Sequence, residues 1–213
     1  MNTFLSASQK ALQEQYAKFL KEVLTGADLE SDACNKDIMT KFGQGGYLGI
    51  TVPKELGGQG GTLLDVVLFT EELSRHSAGL ALCVASHYSV VECILKYATE
   101  TLKSRYLPLL ARGEVFGAQA FSEEMAGSDL SMVETSAILD SATNKYKLSG
   151  VKTWVANANL PALLAVVARA NGNGAENPGK LGLFLLQLDG AQTVKLSARK
   201  SSMGFRSACL YIS

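Results

Sequence analysis

The chain has 213 residues, 47% of them hydrophobic and 19% charged, with 20 basic residues balanced by 20 acidic ones. That is enough for one large domain or two modest ones, each able to bury a core. A formal charge of zero gives no electrostatic footprint for nucleic acid or for an anionic membrane surface.

The first residues, Met1-Asn2-Thr3-Phe4-Leu5, have neither a basic region nor a long apolar core, and no stretch reaches ~18 uncharged apolar residues. A soluble, cytoplasmic protein is expected. Cys34, Cys83, Cys93 and Cys209 form no C-x-x-C pair, and His76 and His87 have no metal-ligand spacing, so reduced thiols and no metal site are expected.

In chain order, Ser6-x-x-Gln9 has the form of a capping box. Behind it Leu12, Tyr16, Phe19, Leu20 and Val23 recur on one helical face. A second helix is expected over about Ser31 to Phe42, stopped by Gly43, where a glycine-rich loop to Gly61 begins. Thr62-x-x-Asp65 caps a third, roughly Leu63 to His76. The fourth, about Leu80 to Tyr97, is apolar on nearly every side, the mark of a central buried helix. A fifth starts near Thr99 and should kink or restart at Pro108.

From Val115 the period changes to short β-rich runs: Val115–Phe121, Met132–Leu139, Lys145–Leu148, Thr153–Asn157, Leu163–Ala168, Leu181–Leu188 and Ala208–Ile212. Turn formers punctuate them at Ser141-Ala142-Thr143-Asn144, Ser149-Gly150 and Asn171-Gly172-Asn173-Gly174. Strands with no helices between them suggest antiparallel pairing. The expected fold class is therefore α+β multidomain: an N-terminal all-α bundle over residues 1–114, then an antiparallel β-barrel or sandwich over residues 115–213. The run Cys209-Leu210-Tyr211-Ile212-Ser213 has no polar tail, so this second domain is expected to be truncated there or covered by another chain.

Two segments carry the chemistry. Gly117-Ala118-Gln119-Ala120-Phe121-Ser122-Glu123-Glu124-Met125-Ala126-Gly127-Ser128-Asp129-Leu130 reads as a strand ending in a tight loop of small polar residues, where backbone N–H groups can approach a phosphate. Lys152-Thr153-Trp154-Val155-Ala156-Asn157 places the only tryptophan in a second strand-like run. Together they suggest a pocket for a phosphorylated, flat aromatic cofactor. Other patterns fail. Gly58-Gln59-Gly60-Gly61-Thr62-Leu63 lacks the third glycine of a dinucleotide fingerprint. Gly174 to Lys180 begins like a P-loop but continues into Leu181 and a strand, and is read as a hairpin loop. There is no G-x-S-x-G elbow.

Several motifs resemble those of the acyl-CoA dehydrogenase family. They are Gly46-Tyr47-Leu48-Gly49-Ile50-Thr51-Val52-Pro53-Lys54-Glu55-Leu56-Gly57-Gly58-Gln59-Gly60, Tyr106-Leu107-Pro108-Leu109-Leu110-Ala111-Arg112-Gly113-Glu114, the 121–129 loop, Leu148 to Asn157, and Ser202-Met203-Gly204-Phe205-Arg206-Ser207. The resemblance covers nearly all of the chain. It implies an FAD enzyme that desaturates an acyl-CoA or acyl-carrier thioester, removing the Cα proton and passing the Cβ hydride to flavin N5. It places the catalytic base in a third, helical domain, so no residue here is named as catalytic. It assigns Gln119, Ala120, Phe121, Ser122, Gly127, Ser128, Trp154, Val155 and Ala156 to the cofactor, with Ser128 also bordering the substrate. Implied partners are the acyl thioester, an electron-transfer flavoprotein and further copies of the chain as a dimer or tetramer, with no nucleic acid and no membrane. The chain departs from the family pattern at Ala156, where threonine or serine is common, at Glu124-Met125 in place of Pro-Gly, and at Gln119 in place of an aromatic. Alternative readings are a catalytically silent fragment or subunit that binds a partner chain, and a same-fold flavin monooxygenase or oxidase.

Overall fold

The computed structural model describes residues 5–29, 32–171, 179–188, 194–196, 200–202 and 205–212. By its internal contacts the chain divides into two compact units, residues 1–116 with 202–205, and residues 117–201 with 206–213.

The first unit holds five helices: α1 (Ala7–Leu24), α2 (Asp32–Gln44), α3 (Leu63–Ser74), α4 (Ala78–Tyr97) and α5 (Glu100–Ala111). Both capping boxes form: Ser6 with Gln9 starts α1, and Thr62 with Asp65 starts α3. Tyr16, Phe42, Tyr47 and Phe69 interlock at the core. Phe69 stacks on Tyr47 at 5.1 Å and meets Tyr16 and Phe42 edge-on at 5.4 and 5.5 Å.

α4 has 20 residues and is long and apolar enough by composition to cross a membrane, yet 61% of its apolar window is buried within the fold. Leu80, Val84, Val90, Val91 and Ile94 are among the buried residues, as expected of a core helix. Its polar side chains act inward too. Tyr88 Oη donates to the Tyr47 carbonyl (2.8 Å) and accepts from the Ile50 N–H (3.0 Å), while His87 Nε2 lies 3.0 Å from the Leu48 carbonyl. The loop at 47–50 is thus tied to α4 through its backbone. Burial lowers the His87 pKa to about 4, against the smaller raising effect of its Leu48 bond, so the imidazole is neutral and donates there.

Two expected helix breaks do not occur. α2 runs through Gly43 to Gln44. A Cβ at Gly43 would stand 2.3 Å from the Arg112 carbonyl oxygen, so glycine is there for a backbone crossing rather than a stop. α5 runs through Pro108 to Ala111 without a break, although the proline lacks the N–H that would bond the Ser104 carbonyl.

The second unit is built on eight strands: β1 (Phe116–Ala120), β2 (Ser136–Asp140), β3 (Lys145–Ala156), β4 (Ala162–Asn171), β5 (Leu181–Gln187), β6 (Val194–Leu196), β7 (Lys200–Ser202) and β8 (Phe205–Ile212). Their order is β1-β4-β2-β3-β8-β6, with β5 on β4 and β7 on β8. The sheet is mixed rather than antiparallel throughout. β2 runs parallel to β4, with Ser136 opposite Arg169 and Ile138 opposite Asn171, while β4–β5, β2–β3 and β3–β8 are antiparallel. Residues 162–168 of β4 are all buried, as suits a strand with neighbours on both edges and cover on both faces. The core around it is built largely of small residues, among them Ala118, Ala120, Ala137, Ala162 and Ala168, with Leu164, Val166 and Ile212.

Two strand expectations need correction. Met132 lies in a 3-10 turn, Leu130–Met132, and not in a strand. Ser149-Gly150 is no turn, because Lys145 to Ala156 is one strand. A Cβ at Gly150 would stand 2.4 Å from Thr135 Oγ1, so this glycine makes room for the neighbouring strand's entry segment. Residues 172–178 of the expected hairpin loop and residues 203–204 of the fifth motif lie outside the described residues.

Candidate functional site

Beyond β1 the chain enters the small-residue loop. Glu123 N–H bonds the Ala126 carbonyl at 2.8 Å and Ala126 N–H returns to the Glu123 carbonyl at 3.3 Å, closing a tight turn with Glu124 and Met125 exposed at its tip. Ala126, Val133 and Val167 form a small core beneath it, with Phe121 and Leu130 packed alongside. The Asp129 carboxylate accepts from the Ser131 N–H at 2.9 Å, starting the 3-10 turn. The Arg169 guanidinium binds the carbonyls of Val133 (2.7 Å), Gly179 (2.8 Å) and Ser131. The loop is therefore held by the small core beneath it and by the Arg169 guanidinium.

The second segment is shaped by a bulge in β3. Lys152 lies opposite Leu210 and Val155 opposite Ala208, so three steps on β3 face two on β8. In a regular strand Trp154 would share the face of Lys152, which is fully buried. The extra residue turns it outward instead: Trp154 adopts φ +57° and is 56% exposed. A bulky residue in the left-handed region is strained by about 1–3 kcal/mol, and such positions cluster at ligand sites.

A buried ion pair joins the two segments. Lys152 Nζ donates to Glu123 Oε1 at 2.7 Å and to the Phe121 carbonyl at 3.0 Å. The Glu123 carboxylate also accepts from the Glu134 N–H (2.7 Å), the Thr135 N–H (3.1 Å) and the Thr135 hydroxyl. Burial pushes the Glu123 pKa up, but the hydrogen bonds from Lys152, Thr135 and Glu134 together outweigh it and hold it below the ordinary carboxylate value. The Thr153 N–H adds a backbone bond to the Ser122 carbonyl at 2.9 Å.

Where loop and bulge meet there is a cavity of about 250 Å³. Gln119, Phe121, Ser122, Gly127, Ser128 and Trp154 line it, together with Leu130 and Thr153. Of the residues singled out in the sequence, Ala120, Val155 and Ala156 are buried and lie off this lining. Thr153 and the Glu123–Lys152 pair escaped the sequence reading. A lysine flanked by strand residues and a glutamate in the facing loop are the only signal for the pair, and nothing local marks Thr153.

One feature of the wall concerns a ligand. A Cβ at Gly127 would meet no atom within 4 Å, so that glycine leaves open space in front of the backbone. The Thr153 hydroxyl is buried without a hydrogen-bond partner among the described residues. Phe121, Leu130 and Trp154 supply apolar surface, and Gln119, Ser122, Ser128 and Thr153 supply neutral polar groups. None of these side chains is a base of useful strength near neutrality, so the cavity is equipped to bind and orient rather than to move protons. A second cavity of about 570 Å³, between α3 and α4 of the helical unit, is mainly apolar and includes Leu63, Val67 and Tyr88.

A helical bundle followed by a mixed-sheet module, with a small-residue loop set against a tryptophan-bearing bulge, defines a two-unit protein of a known class. The family description "Acyl-CoA dehydrogenase, N-terminal domain" matches residues 6–114, and "Acyl-CoA dehydrogenase, middle domain" matches residues 118–211. The chain belongs to the acyl-CoA dehydrogenase family. It is 36% identical over 173 residues to a mitochondrial isovaleryl-CoA dehydrogenase from Bos taurus, covering 78% of this chain and 40% of the relative. It is 34% identical over 159 residues to an acryloyl-CoA reductase (NADH) from Anaerotignum propionicum, covering 75% and 40%. An acyl-CoA dehydrogenase from Bacillus anthracis, solved in complex with FAD, matches with a TM-score of 0.88 and 27% identity, over 100% of this chain and 36% of that one. The chain spans about 40% of the length of these curated relatives.

Proposed function

We propose that this chain carries the flavin-binding face of an acyl-thioester oxidoreductase that binds FAD and desaturates an acyl-CoA or acyl-carrier thioester. The observation that carries the reading is the single cavity wall formed by two segments distant in sequence, the 119–130 loop and the β3 bulge.

The residues present fit such a cofactor. A cavity of about 250 Å³ falls below the ~300–1,000 Å³ of pockets that enclose a whole small ligand, and suits one part of a larger molecule. Phe121 and Trp154 offer apolar faces for a flat ring, and Gln119 and Ser122 offer polar groups for its edge. The open backbone at Gly127, beside exposed Ser128, admits the close approach a phosphate needs. Ala120, Val155 and Ala156 would act from behind, by fixing strand positions. When bound, FAD supplies the acceptor for the hydride that leaves Cβ. The chain's own residues hold the ring and exclude water from one side of it. The lining of this cavity offers no base for proton removal at Cα, and this reading assigns that role to a group outside the chain. Support for the substrate class comes from the dehydrogenase and reductase relatives, which are named for acyl-CoA chemistry. An electron-transfer flavoprotein as acceptor, a dimeric or tetrameric assembly and a cytoplasmic location belong to the same proposal, as does assigning the flavin face to residues 115–213.

Trp154 is the only tryptophan, so its emission reports directly on the cavity. Titration of the chain with FAD into the millimolar range should give saturable quenching. Attenuation that stays linear in added FAD would remove the basis for the reading. In the complete protein, anaerobic addition of acyl thioesters should bleach the flavin absorbance.

A further inference from the structure

We infer that Lys152 and Asn157 are positioning residues, which hold the two walls of the cavity in register from either side of the β3 bulge. The inference rests on the flavin reading above, in which those walls take up a ring. The walls come from strands that are not neighbours. β4 and β2 stand between β1 and β3 in the sheet, so no ladder of backbone bonds joins residues 117–121 to residues 152–157. Two side chains join them instead. Lys152 Nζ, on a fully buried side chain, donates to the Phe121 carbonyl at 3.0 Å, and the buried Asn157 Nδ2 donates to the Gly117 carbonyl at 2.9 Å. Residues 117–121 are thus gripped at both ends, across 31 and 40 residues of chain. Between the grips β3 carries Trp154 at φ +57°, and Asn157 itself stands at φ +61°. Such conformations persist where the surroundings over-determine them, and the grips do so on both sides of the bulge. Stability alone does not explain the lysine. A buried ion pair such as Lys152–Glu123 is often no more stabilising than apolar side chains of the same size, but its directional bonds fix the Phe121 carbonyl, which apolar contacts would not.

The role separates from a purely structural one because affinity and stability should rank differently. Glu123→Gln keeps an Oε1 to accept from Lys152, so the Phe121 carbonyl keeps its donor while the buried cation loses its counter-charge. It should melt about 10 °C below the parent, yet half-saturate with FAD, read by Trp154 quenching, within about threefold of it. Glu123→Gln/Lys152→Met removes both the cation and the grip. It should melt above Glu123→Gln but bind FAD about tenfold more weakly than the parent. Asn157→Gly keeps the left-handed backbone and removes the second grip. It should melt within about 3 °C of the parent and bind FAD about fivefold more weakly. FAD affinities that follow the melting points across these variants overturn the inference. Parent-like half-saturation in the double variant, with folding confirmed by circular dichroism, overturns it too and leaves the flavin reading intact. If the pair variants do not fold, parent-like half-saturation in Asn157→Gly is enough to overturn it. Absence of saturable quenching in the parent chain overturns both the inference and the flavin reading.

Discussion

Among the described residues, the helical unit buries two side-chain hydroxyls without a hydrogen-bond partner, Tyr16 and Thr51, and the β unit buries one, Thr153. Tyr16 Oη lies in a core where its ring meets Tyr47 and Phe69 edge-on at 5.6 and 5.4 Å. Aromatic contact offsets the unpaired oxygen there. Thr153 lines a cavity with its Oγ1 closed off from solvent, beside a residue held in a strained conformation and next to Lys152 of a buried ion pair. An unpaired polar atom is therefore weak evidence for a site by itself. It gains force where several departures from local preference converge on one space.

Five measurements break or sharpen this contrast. The largest effect is expected in the helical unit: Phe69→Ala empties the ring cluster and should cost about 3–5 kcal/mol in urea unfolding followed by circular dichroism. A loss under ~1 kcal/mol would mean that this core is loosely packed.

In the β unit, Lys152→Met leaves the Glu123 carboxylate buried without its counter-charge. It should cost about 3 kcal/mol and shift Trp154 emission, because the pair ties the Trp154 strand to the Phe121 carbonyl. The double variant Glu123→Gln/Lys152→Met should recover part of that loss.

The pH dependence should differ between units. His87 titrates at about 4 when folded, against 6.5 for the free side chain. The unfolded chain thus takes up the proton first. Stability is fully present above pH 6.5, falls as the pH drops toward 4 and then levels off, a loss of about 3 kcal/mol. The urea midpoint read by circular dichroism should decline across that window, and His87→Gln should flatten it. Glu123 has the same sign but acts lower: its contribution is present above the ordinary carboxylate pKa and is lost as pH falls through its lowered folded value. The midpoint read by Trp154 should hold until that more acidic range, and coincident declines would erase the distinction.

A smaller effect attends the strained residue. Trp154→Gly should gain about 1 kcal/mol of stability by relieving the left-handed backbone, while abolishing saturable FAD binding as read by flavin fluorescence. The smallest is Tyr16→Phe, which should move stability by less than ~1 kcal/mol and leave FAD binding untouched, in contrast to Trp154→Gly.

Much of this architecture can be read from local sequence. The capping boxes at Ser6 and Thr62 act over three residues, and both form as expected. α4 announces its burial by having no polar face, and the 119–130 loop announces itself by composition. Two of the misreadings share one cause, which is dependence on a distant partner. Gly43 looks like a helix stop until the Arg112 backbone is laid across it, and Gly150 looks like a turn until Thr135 is placed beside it. Strand direction follows the same rule: the parallel pairing of β2 with β4 leaves no trace in the alternation of either strand. At the candidate site, six of the nine residues singled out line the cavity. Thr153 was missed because its place in the cavity lining follows from a register shift against β8, which no reading of β3 alone reveals.

That register shift has a consequence for how the strand can change over time. Replacing a side chain in β3 alters one contact, whereas losing a single residue between Lys152 and Val155 would bring the two strands back into step. The ladder would then be more regular and the indole would turn inward. A shortened version of this segment would be a better sheet and an emptied site, so length here should be guarded more strictly than letter.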